Sequence, residues 1–189
     1  MNTIKRINGE KINLRTVTKA DALSIYRNIS DRNISRFTHI PHPYKLEDAY
    51  DFIRFTHRQR RKKAAFHFGL ENKDDGQIIG GIGLENISEV HRKGEIGYWL
   101  AKPYWGRGIM AETINLMLDF CFTKVKLHRV QAYVFPDNHS SIRVLEKTGF
   151  KREGLIHEGF VQRGNYVDVY LYAILEDDWA RRDLPESRR

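Results

Sequence analysis

The sequence predicts a mixed α/β domain in which helices pack on a central sheet, and three observations lead to this fold class. Apolar residues alternate in some segments and recur at helical spacing in others, so both element types are expected. These segments follow the order β-α-α-β-β-β-α-β-α-β-β. The 189 residues, 41% of them hydrophobic and 30% charged, suffice for one packed core. We therefore expect a single domain over residues 1–189, with its core at about 10–179 and a charged tail at 180–189.

The first third of the chain predicts one strand and two helices. Residues 11–17 alternate between apolar and polar side chains, which is typical of a strand. A helix is expected over about 18–29, because Asp21 lies three residues after a threonine, as in a capping box. The two prolines of residues 35–44 favour a loop. Apolar residues then recur on one helical face, which predicts a second helix over 46–60.

A three-stranded meander should follow these helices. Residues 64–70 and 77–84 alternate with a period of two and read as strands. Asp75-Gly76 lies between them, and this dipeptide is a strong signal for a hairpin. Residues 93–101 complete the meander.

The second half of the chain alternates helices and strands. Helices are expected over 108–124 and 138–147, and a strand over 128–135 separates them. Two late strands are expected at about 152–161 and 166–174. They would close the sheet.

The composition indicates which classes of partner and which compartment to expect. The net charge of +8 favours an anionic ligand or partner, although a solvated basic surface explains it equally well. The only cysteine, Cys121, lies in an apolar run and is expected to be a buried structural thiol, and no metal site is expected. The start of the chain lacks a signal-peptide core and no run approaches a membrane span, so we expect a cytoplasmic protein. The charged tail from Asp177 is expected to be partly disordered.

A glycine turn between a predicted strand and a predicted helix is the first candidate site. Gly106 and Gly108 allow unusual backbone angles, and the helix that follows presents free N–H groups and the positive end of its dipole. Such a turn suits a pyrophosphate, although a tight turn also needs glycine for steric reasons alone. The turn is neither a P-loop nor the dinucleotide fingerprint, since their further residues are missing.

Four segments in order resemble two motifs of the GNAT acetyltransferases. Residues 95–100 and 104–110 are similar to the central acetyl-CoA motif of that superfamily. Residues 138–142 and 145–150 resemble its second motif, an asparagine followed by a helix that ends in Lys-x-Gly-Phe. The resemblance implies the GNAT fold, a mixed, mostly antiparallel twisted sheet of about six to seven strands with about four helices. It also implies acetyl-CoA as co-substrate and no metal.

Further segments resemble one branch of the superfamily, the ribosomal-protein N-terminal acetyltransferases of the RimJ/RimL type. They are residues 41–43, 65–70, 153–154, 164–169 and 177–179. This resemblance implies a protein N-terminus as the acetyl acceptor and a monomer or homodimer as the assembly.

The resemblance also assigns the residues that would bind acetyl-CoA. Two neighbouring strands splay apart in this fold, and the pantetheine arm would pair with backbone groups of Tyr98, Trp99 and Leu100. The Leu100 N–H would polarise the thioester carbonyl, as an oxyanion hole does. Asn138 would bond the pantetheine, although it is equally well explained as a helix N-cap. The residues placed at the pyrophosphate are Trp105, Gly106, Arg107, Gly108, Ile109 and Met110. Trp105 and Met110 depart from the family, which usually has Gln or Arg and Gly or Ala there.

The catalytic acid and base are less clearly marked. Glu95 lies on the strand beside the thioester and is the best candidate base, although an outward carboxylate paired with Lys93 or Arg92 is nearly as good an interpretation. Glu158 is a weaker alternative. Leu145 occupies the position at which many GNAT enzymes have a tyrosine that protonates the leaving thiolate. Ser141 occupies the position of a serine thought to protonate the leaving thiolate instead, although a helix serine is more often structural.

The expected reaction is direct attack of a neutral amine on the thioester, since no Cys/His or Ser/His set is present for covalent catalysis. A polyamine or an antibiotic is an alternative acceptor, and a non-catalytic RNA-binding or ribosome-binding protein is a third hypothesis. The last rests on residues 58–63, five basic residues in six, which also suit a solvated helix end. The residues expected near the acceptor are His39, His42, His67, Phe37, Tyr44 and Phe52, although core packing explains Phe52 better.

Overall fold

The computed structural model describes residues 4–38 and 40–182, and its centre is an eight-stranded sheet with helices on both faces. The strands are β1 (Arg6–Asn8), β2 (Ile12–Arg15), β3 (Phe66–Asn72), β4 (Ile78–Ser88), β5 (Lys93–Leu100), β6 (Arg129–Val134), β7 (Lys151–Gln162) and β8 (Asn165–Leu175). The helices are α1 (Ala22–Ile29), α2 (Arg32–Ser35), α3 (Leu46–Lys62), α4 (Ile109–Asp119), α5 (His139–Lys147) and α6 (Glu176–Arg181).

The strands lie in the order β1-β2-β3-β4-β5-β6-β8-β7, and every neighbouring pair is antiparallel except β5 and β6. The expected mixed and mostly antiparallel sheet is confirmed. The described residues form eight strands instead of six to seven, and six α-helices instead of about four. The missed elements β1, α2 and α6 are three, four and six residues long. Segments that short cannot show a repeat of apolar residues.

Two apolar cores, one on each face, hold the helices on the sheet. On one face α4 and the helical turns that continue it pack on β2 to β6, and Ile114, Met117 and Cys121 are wholly buried there. On the other face α1 and α3 pack around Val17, Ile53 and Ile78. Burial raises the pKa of the Cys121 thiol, which confirms the prediction of a structural cysteine.

The predicted start of the first helix is confirmed by its cap. The Thr18 backbone N–H donates to the Asp21 carboxylate at 2.7 Å, so the carboxylate satisfies a donor that the helix itself leaves free. The same carboxylate accepts two hydrogen bonds from Arg15 on β2, at 2.7 and 2.8 Å. This contact fixes the start of α1 against the sheet. No helix in the described residues is long and apolar enough to cross a membrane.

The charged segment after β8 is ordered as far as it is described. Trp179 of α6 packs on Phe122 with the ring centroids 5.5 Å apart, and Asp178 accepts from Lys151 at 3.1 Å. The Arg182 guanidinium donates to the Thr148 carbonyl oxygen. The expectation of disorder from Asp177 onward is therefore wrong for residues 177–182. Residues 183–189 lie outside the described part.

His67 belongs to the core and does not line an acceptor site, contrary to the prediction. Its ring lies under α3 between Phe52 and Phe55, with centroids 5.8 and 5.7 Å away. Burial, and then the nearby Arg60 guanidinium, lower the pKa of His67 to about 4. The Glu85 carboxylate lies 3.3 Å from the His67 ring but is 51% exposed, so water screens its opposing pull.

The lowered pKa of His67 predicts a loss of stability in acid. The unfolded chain binds a proton near the ordinary pKa of about 6.5, and the folded chain binds it only near pH 4. The contribution is therefore complete above about pH 6.5 and is lost as the pH falls toward 4, at a cost of about 3 kcal/mol. Urea unfolding at pH 7 and pH 4.5 should show a smaller acid loss for His67→Phe than for the wild type. Equal losses would contradict the assignment.

Candidate active site

The gap between β5 and β6 is the centre of the site. The parallel ladder joins Lys93 to Arg129 and ends with the pair of Glu95 and Gln131, although β5 continues to Leu100. Beyond this point β6 stays paired with β8 on its other side, out to Val134. The two strands therefore splay apart, and the last five residues of β5 have no strand partner toward β6. Unpaired backbone groups of this kind readily pair with an extended ligand.

Backbone alternation shows which groups of β5 face this gap. The Ala101 N–H donates to the Ile79 carbonyl oxygen of β4 at 2.8 Å. Because backbone groups alternate sides along a strand, the Leu100 and Tyr98 N–H groups face the gap. The Leu100 carbonyl oxygen faces it too and accepts from the Trp105 indole N–H at 2.7 Å. The Leu100 N–H thus lies where an oxyanion donor is expected, and that role remains a prediction.

The glycine turn precedes α4 with two residues in the left-handed region. Gly106 and Gly108 both have φ of +75°, and Gly108 is the residue that caps the helix. An added Cβ on Gly106 would meet nothing within 4 Å, so glycine is required here by the backbone angle and not by crowding. The Arg107 guanidinium lies over the Tyr104 ring, 5.6 Å from its centroid.

Lys11 adds a charge to this turn that sequence reasoning missed. Its ammonium donates to the Arg107 carbonyl oxygen at 3.0 Å, although the residue comes from the turn between β1 and β2. No local pattern could have found it, since the contact joins distant parts of the chain. The Lys11 ammonium, the Arg107 guanidinium and the free N–H groups at the start of α4 together fit a diphosphate.

The start of α5 closes the gap on the face that carries α4. The Asn138 side-chain oxygen accepts from the Ser141 N–H at 3.2 Å, so the N-cap interpretation of Asn138 is confirmed. Leu145 is wholly buried in the core. No hydroxyl therefore stands at the position of the missing tyrosine.

A tyrosine of β5 places its hydroxyl beside the start of α5. The Tyr98 hydroxyl of β5 lies 2.7 Å from the Ser141 hydroxyl of α5. Burial, partly offset by this hydrogen bond, raises the pKa of Tyr98. The phenol is therefore protonated throughout the neutral range. The family resemblance implied only a backbone role for Tyr98, because the contact between β5 and α5 joins two distant segments and cannot be predicted from either one alone.

Glu95 lies on the opposite face of the sheet from this hydroxyl pair. Side chains alternate along β5, so Glu95 and Trp99 face the side of α1 and α3, whereas Tyr98 faces α5. The Glu95 carboxylate accepts from the Asn86 side chain at 3.1 Å. Arg92, one of its expected partners, instead pairs with Glu176 at 3.1 Å. The pairing with Arg92 is therefore wrong, and the Asn86 side chain donates to the carboxylate instead.

An open cavity lies at the ends of the splayed strands. The segment of α2 and the loop after it crosses these ends, with Phe37 on Phe135 at 6.4 Å between centroids and Arg36 paired with Asp137 at 2.8 Å. The cavity measures about 460 Å³. The described residues that line it are Arg32, Ser35, Thr38, Ile40, Pro41, His42, Val161, Gln162 and Arg163.

Only some of the residues expected near the acceptor lie at or beside the cavity. His42 lines the cavity, and Phe37 packs beside it on Phe135. Tyr44 is buried in the core with α1 and α3, and Phe52 packs on the buried His67 ring. The prediction is wrong for Tyr44, and the core-packing interpretation of Phe52 is confirmed, since both residues support the fold. His39 lies outside the described residues.

The basic segment 58–63 offers four exposed charges instead of five. Arg60 is turned inward and donates to the Ile4 and His67 carbonyl oxygens at 2.9 and 3.0 Å. Its guanidinium also lies 4.5 Å from the centre of the Phe68 ring. The other basic residues of the segment are exposed. No group of His, Cys, Asp or Glu in the described part of the chain could hold a metal ion.

Comparison with known proteins shows to which family the chain belongs. A family model described as an acetyltransferase (GNAT) domain matches residues 11–151. The uncharacterized N-acetyltransferase YoaA of Bacillus subtilis is 30% identical over 167 residues, which cover 88% of this chain and 94% of the relative. A spermidine N(1)-acetyltransferase of Vibrio cholerae is 28% identical over 178 residues, which cover 92% of this chain and 98% of the relative.

Two solved structures share the fold over most of their length. The ribosomal-protein-S5-alanine acetyltransferase from Vibrio fischeri superposes with a TM-score of 0.82 at 26% identity, covering 92% of this chain and 98% of that one. Mycobacterium smegmatis RimJ, solved in complex with CoA-disulfide, gives a TM-score of 0.80 at 28% identity, covering 88% of this chain and 83% of that one.

The matched range contains every part of the site that faces the gap. It includes the splayed strands, the glycine turn with the start of α4, and the paired hydroxyls of Tyr98 and Ser141. The family match covers most of the chain, and the geometry agrees with it. The protein therefore belongs to the GNAT acetyltransferase family and is an acetyl-CoA-dependent N-acetyltransferase.

Proposed function

We propose that the acceptor is the N-terminal α-amine of a protein, most directly a ribosomal protein. One observation carries this choice over a polyamine: no Asp or Glu is among the described residues that line the cavity. A polyamine site needs carboxylates to hold the several cationic amines of its substrate. The similarity to the S5-alanine acetyltransferase supports the same choice, whereas the similarity to the spermidine enzyme supports the alternative.

The energetics of the amine also favour an N-terminus. An α-amine has a pKa of about 7.7–8.0 and a lysine amine about 10.4. Freeing the neutral amine near pH 7 costs roughly 1 kcal/mol for the α-amine and roughly 4–5 kcal/mol for lysine. The described site holds no strong base near Leu100, so the acceptor with the smaller cost suits it better.

Different residues around the gap would bind different parts of acetyl-CoA. Acetyl-CoA supplies an activated thioester. The backbone of Tyr98, Trp99 and Leu100 would hold the pantetheine arm, and the Leu100 N–H would stabilise the charge that develops on the carbonyl oxygen. The amides from Gly106 to Met110 would hold the diphosphate, with Trp105, Arg107 and Ile109 in the same turn. Asn138, whose oxygen caps α5, keeps its side-chain N–H groups for the arm.

Glu95 would remove the proton from the amine through water. It lies five residues before Leu100, which is roughly 16 Å along a strand at about 3.3 Å per residue. A carboxylate at that distance reaches the amine only through bridging water. Glu95 and Trp99 share the face of the sheet that carries α1, which is the face opposite the hydroxyl pair. The base and the acid would thus act from opposite faces.

Ser141 would return a proton to the leaving thiolate. Its hydroxyl is bonded to the Tyr98 hydroxyl at 2.7 Å, so it can donate toward the gap and be supplied by the phenol. The exposed basic residues at the end of α3 suit the phosphates of ribosomal RNA, which would bring the enzyme close to ribosomal N-termini.

A panel of acceptors tests this function. Thiol release should be fastest with peptides that carry a free α-amine, slower with the same peptides after N-terminal blocking, and slowest with spermidine. Mass spectrometry of ribosomal proteins from cells with and without this chain should show an N-terminus that loses 42 Da, about one acetyl group, in its absence. Preferred acetylation of spermidine, with unchanged ribosomal N-termini, would contradict the proposal.

A further inference from the structure

The cavity at the mouth of the gap carries a charge pattern that bears on the substrate. Resting on the proposed function, we propose that the acceptor bears an anionic group, a carboxylate or phosphate, close to its reacting amine. Arg163 and Arg32 bind that group. In a protein acceptor it is an acidic side chain within the first few residues.

The charges that line the cavity are of one sign. Its described lining includes Arg32 and Arg163 and no carboxylate. Asp31 at the start of α2 accepts the Asn33 N–H at 2.8 Å, and Asp137 pairs with Arg36, so both of these acids are engaged elsewhere. The field at the mouth therefore attracts an anion and repels an amine-rich acceptor.

Arginine is an unusual residue for the turn position that Arg163 occupies. The pair of Gln162 and Asn165 closes a two-residue turn between β7 and β8, and Arg163 and Gly164 have φ of +51° and +81°. Positive φ at both positions is typical of a type I′ turn, in which Asn-Gly is preferred. An arginine is strained there, so the turn itself does not explain the residue. The Arg163 side chain explains why an arginine is present, because this side chain lines the cavity.

Two hydrogen bonds hold this turn against α2 and aim the arginine. The Arg163 guanidinium donates to the Ser35 hydroxyl at 3.3 Å, and the Gln162 side chain donates to the Arg36 carbonyl oxygen. Ser35 is buried, which fixes one edge of the guanidinium. A guanidinium has five N–H donors, so most of them remain for a carboxylate or phosphate.

The cavity is correctly placed for an amine that reacts in the gap. Asp31 at the start of α2 feels the charge of Lys102, two residues after the end of β5, because the Asn33 N–H and, less strongly, the Lys102 ammonium both lower the pKa of Asp31. At its other end, the segment packs on Phe135, which follows β6. The cavity thus lies across the ends of both splayed strands. We expect an acceptor bound by Arg163 to extend its amine into the gap between these strands.

Peptides that differ only in charge test the inference. With alanine first and Asp, Asn or Lys at positions two and three, kcat/KM should fall about tenfold from Asp to Asn and further to Lys, and salt should reduce the difference. Arg163→Asn should bring the Asp to Asn ratio close to one without lowering the melting temperature, since asparagine suits the turn. Arg32→Gln should reduce the ratio in part. Arg181→Asn, at an exposed arginine on α6, is the matched control and should leave it unchanged.

The outcomes separate this inference from the proposed function. Equal kcat/KM for the three peptides would overturn the anionic acceptor and leave the protein N-terminus standing. Acetylation of small amino-carboxylates or amino-phosphates, and of no peptide, would overturn the protein acceptor and support the anionic group. Preference for spermidine would overturn both.

Discussion

Gly106→Ala is expected to weaken acetyl-CoA binding by about one to two orders of magnitude. Gly106 has φ of +75°, and an L-residue in this region costs about 1–2 kcal/mol, so the turn shifts toward allowed angles. The shift moves the N–H groups at the start of α4 away from the diphosphate. Each charge-assisted hydrogen bond lost there is worth about 1.5–3 kcal/mol. Calorimetric titration with acetyl-CoA measures the effect directly.

Gly76→Ala is the matched control for this substitution. Gly76 has φ of +72° in the hairpin between β3 and β4, and an added Cβ there, as at Gly106, meets nothing within 4 Å. Both variants should therefore lose similar stability, and only Gly106→Ala should lose affinity. Two variants that bind acetyl-CoA as tightly as the wild type would show that the turn does not hold the diphosphate.

Ser141→Ala is expected to lower kcat about a hundredfold while the KM for acetyl-CoA changes little, because proton transfer to the leaving thiolate is lost. The cap of α5 survives, since Asn138 accepts from the Ser141 backbone and not from its hydroxyl. Tyr98→Phe should also lower kcat, and the double variant should be little slower than Ser141→Ala alone, because the two hydroxyls act as one unit.

Ser140→Ala provides the control for Ser141. Its hydroxyl donates to the Asn138 side chain at 3.0 Å and contributes only to the cap. Because the raised pKa of Tyr98 keeps the phenol protonated, this pair should add no basic limb to the wild-type kcat profile below about pH 10. Equal and small effects of Ser140→Ala and Ser141→Ala on kcat would remove Ser141 from the chemistry.

Local patterns were enough to predict most of the fold. The alternation of β3 to β5 and the helical stripes of α3 and α4 are properties of single segments, and apolar periodicity reports them. The glycine turn was predicted for the same reason, because its residues are contiguous. Short elements such as β1 (Arg6–Asn8) and α2 (Arg32–Ser35) are fixed by tertiary packing, which leaves no periodic signal in the sequence.

The parts of the site that escaped prediction all depend on contacts between distant segments. Lys11 reaches the glycine turn from the first hairpin, and Tyr98 meets Ser141 only because β5 passes under α5. Arg163 joins the cavity because the turn between β7 and β8 folds back on α2. The burial of His67 was missed in the same way, since nothing in its own strand shows that α3 covers it.

Titration of the purified full chain with acetyl-CoA at low ionic strength tests the central claim most directly. The account predicts saturable one-to-one binding with a Kd on the order of micromolar, weakened at Gly106→Ala and unchanged at Gly76→Ala. Absence of binding by wild-type protein whose circular dichroism shows it to be folded would contradict the account.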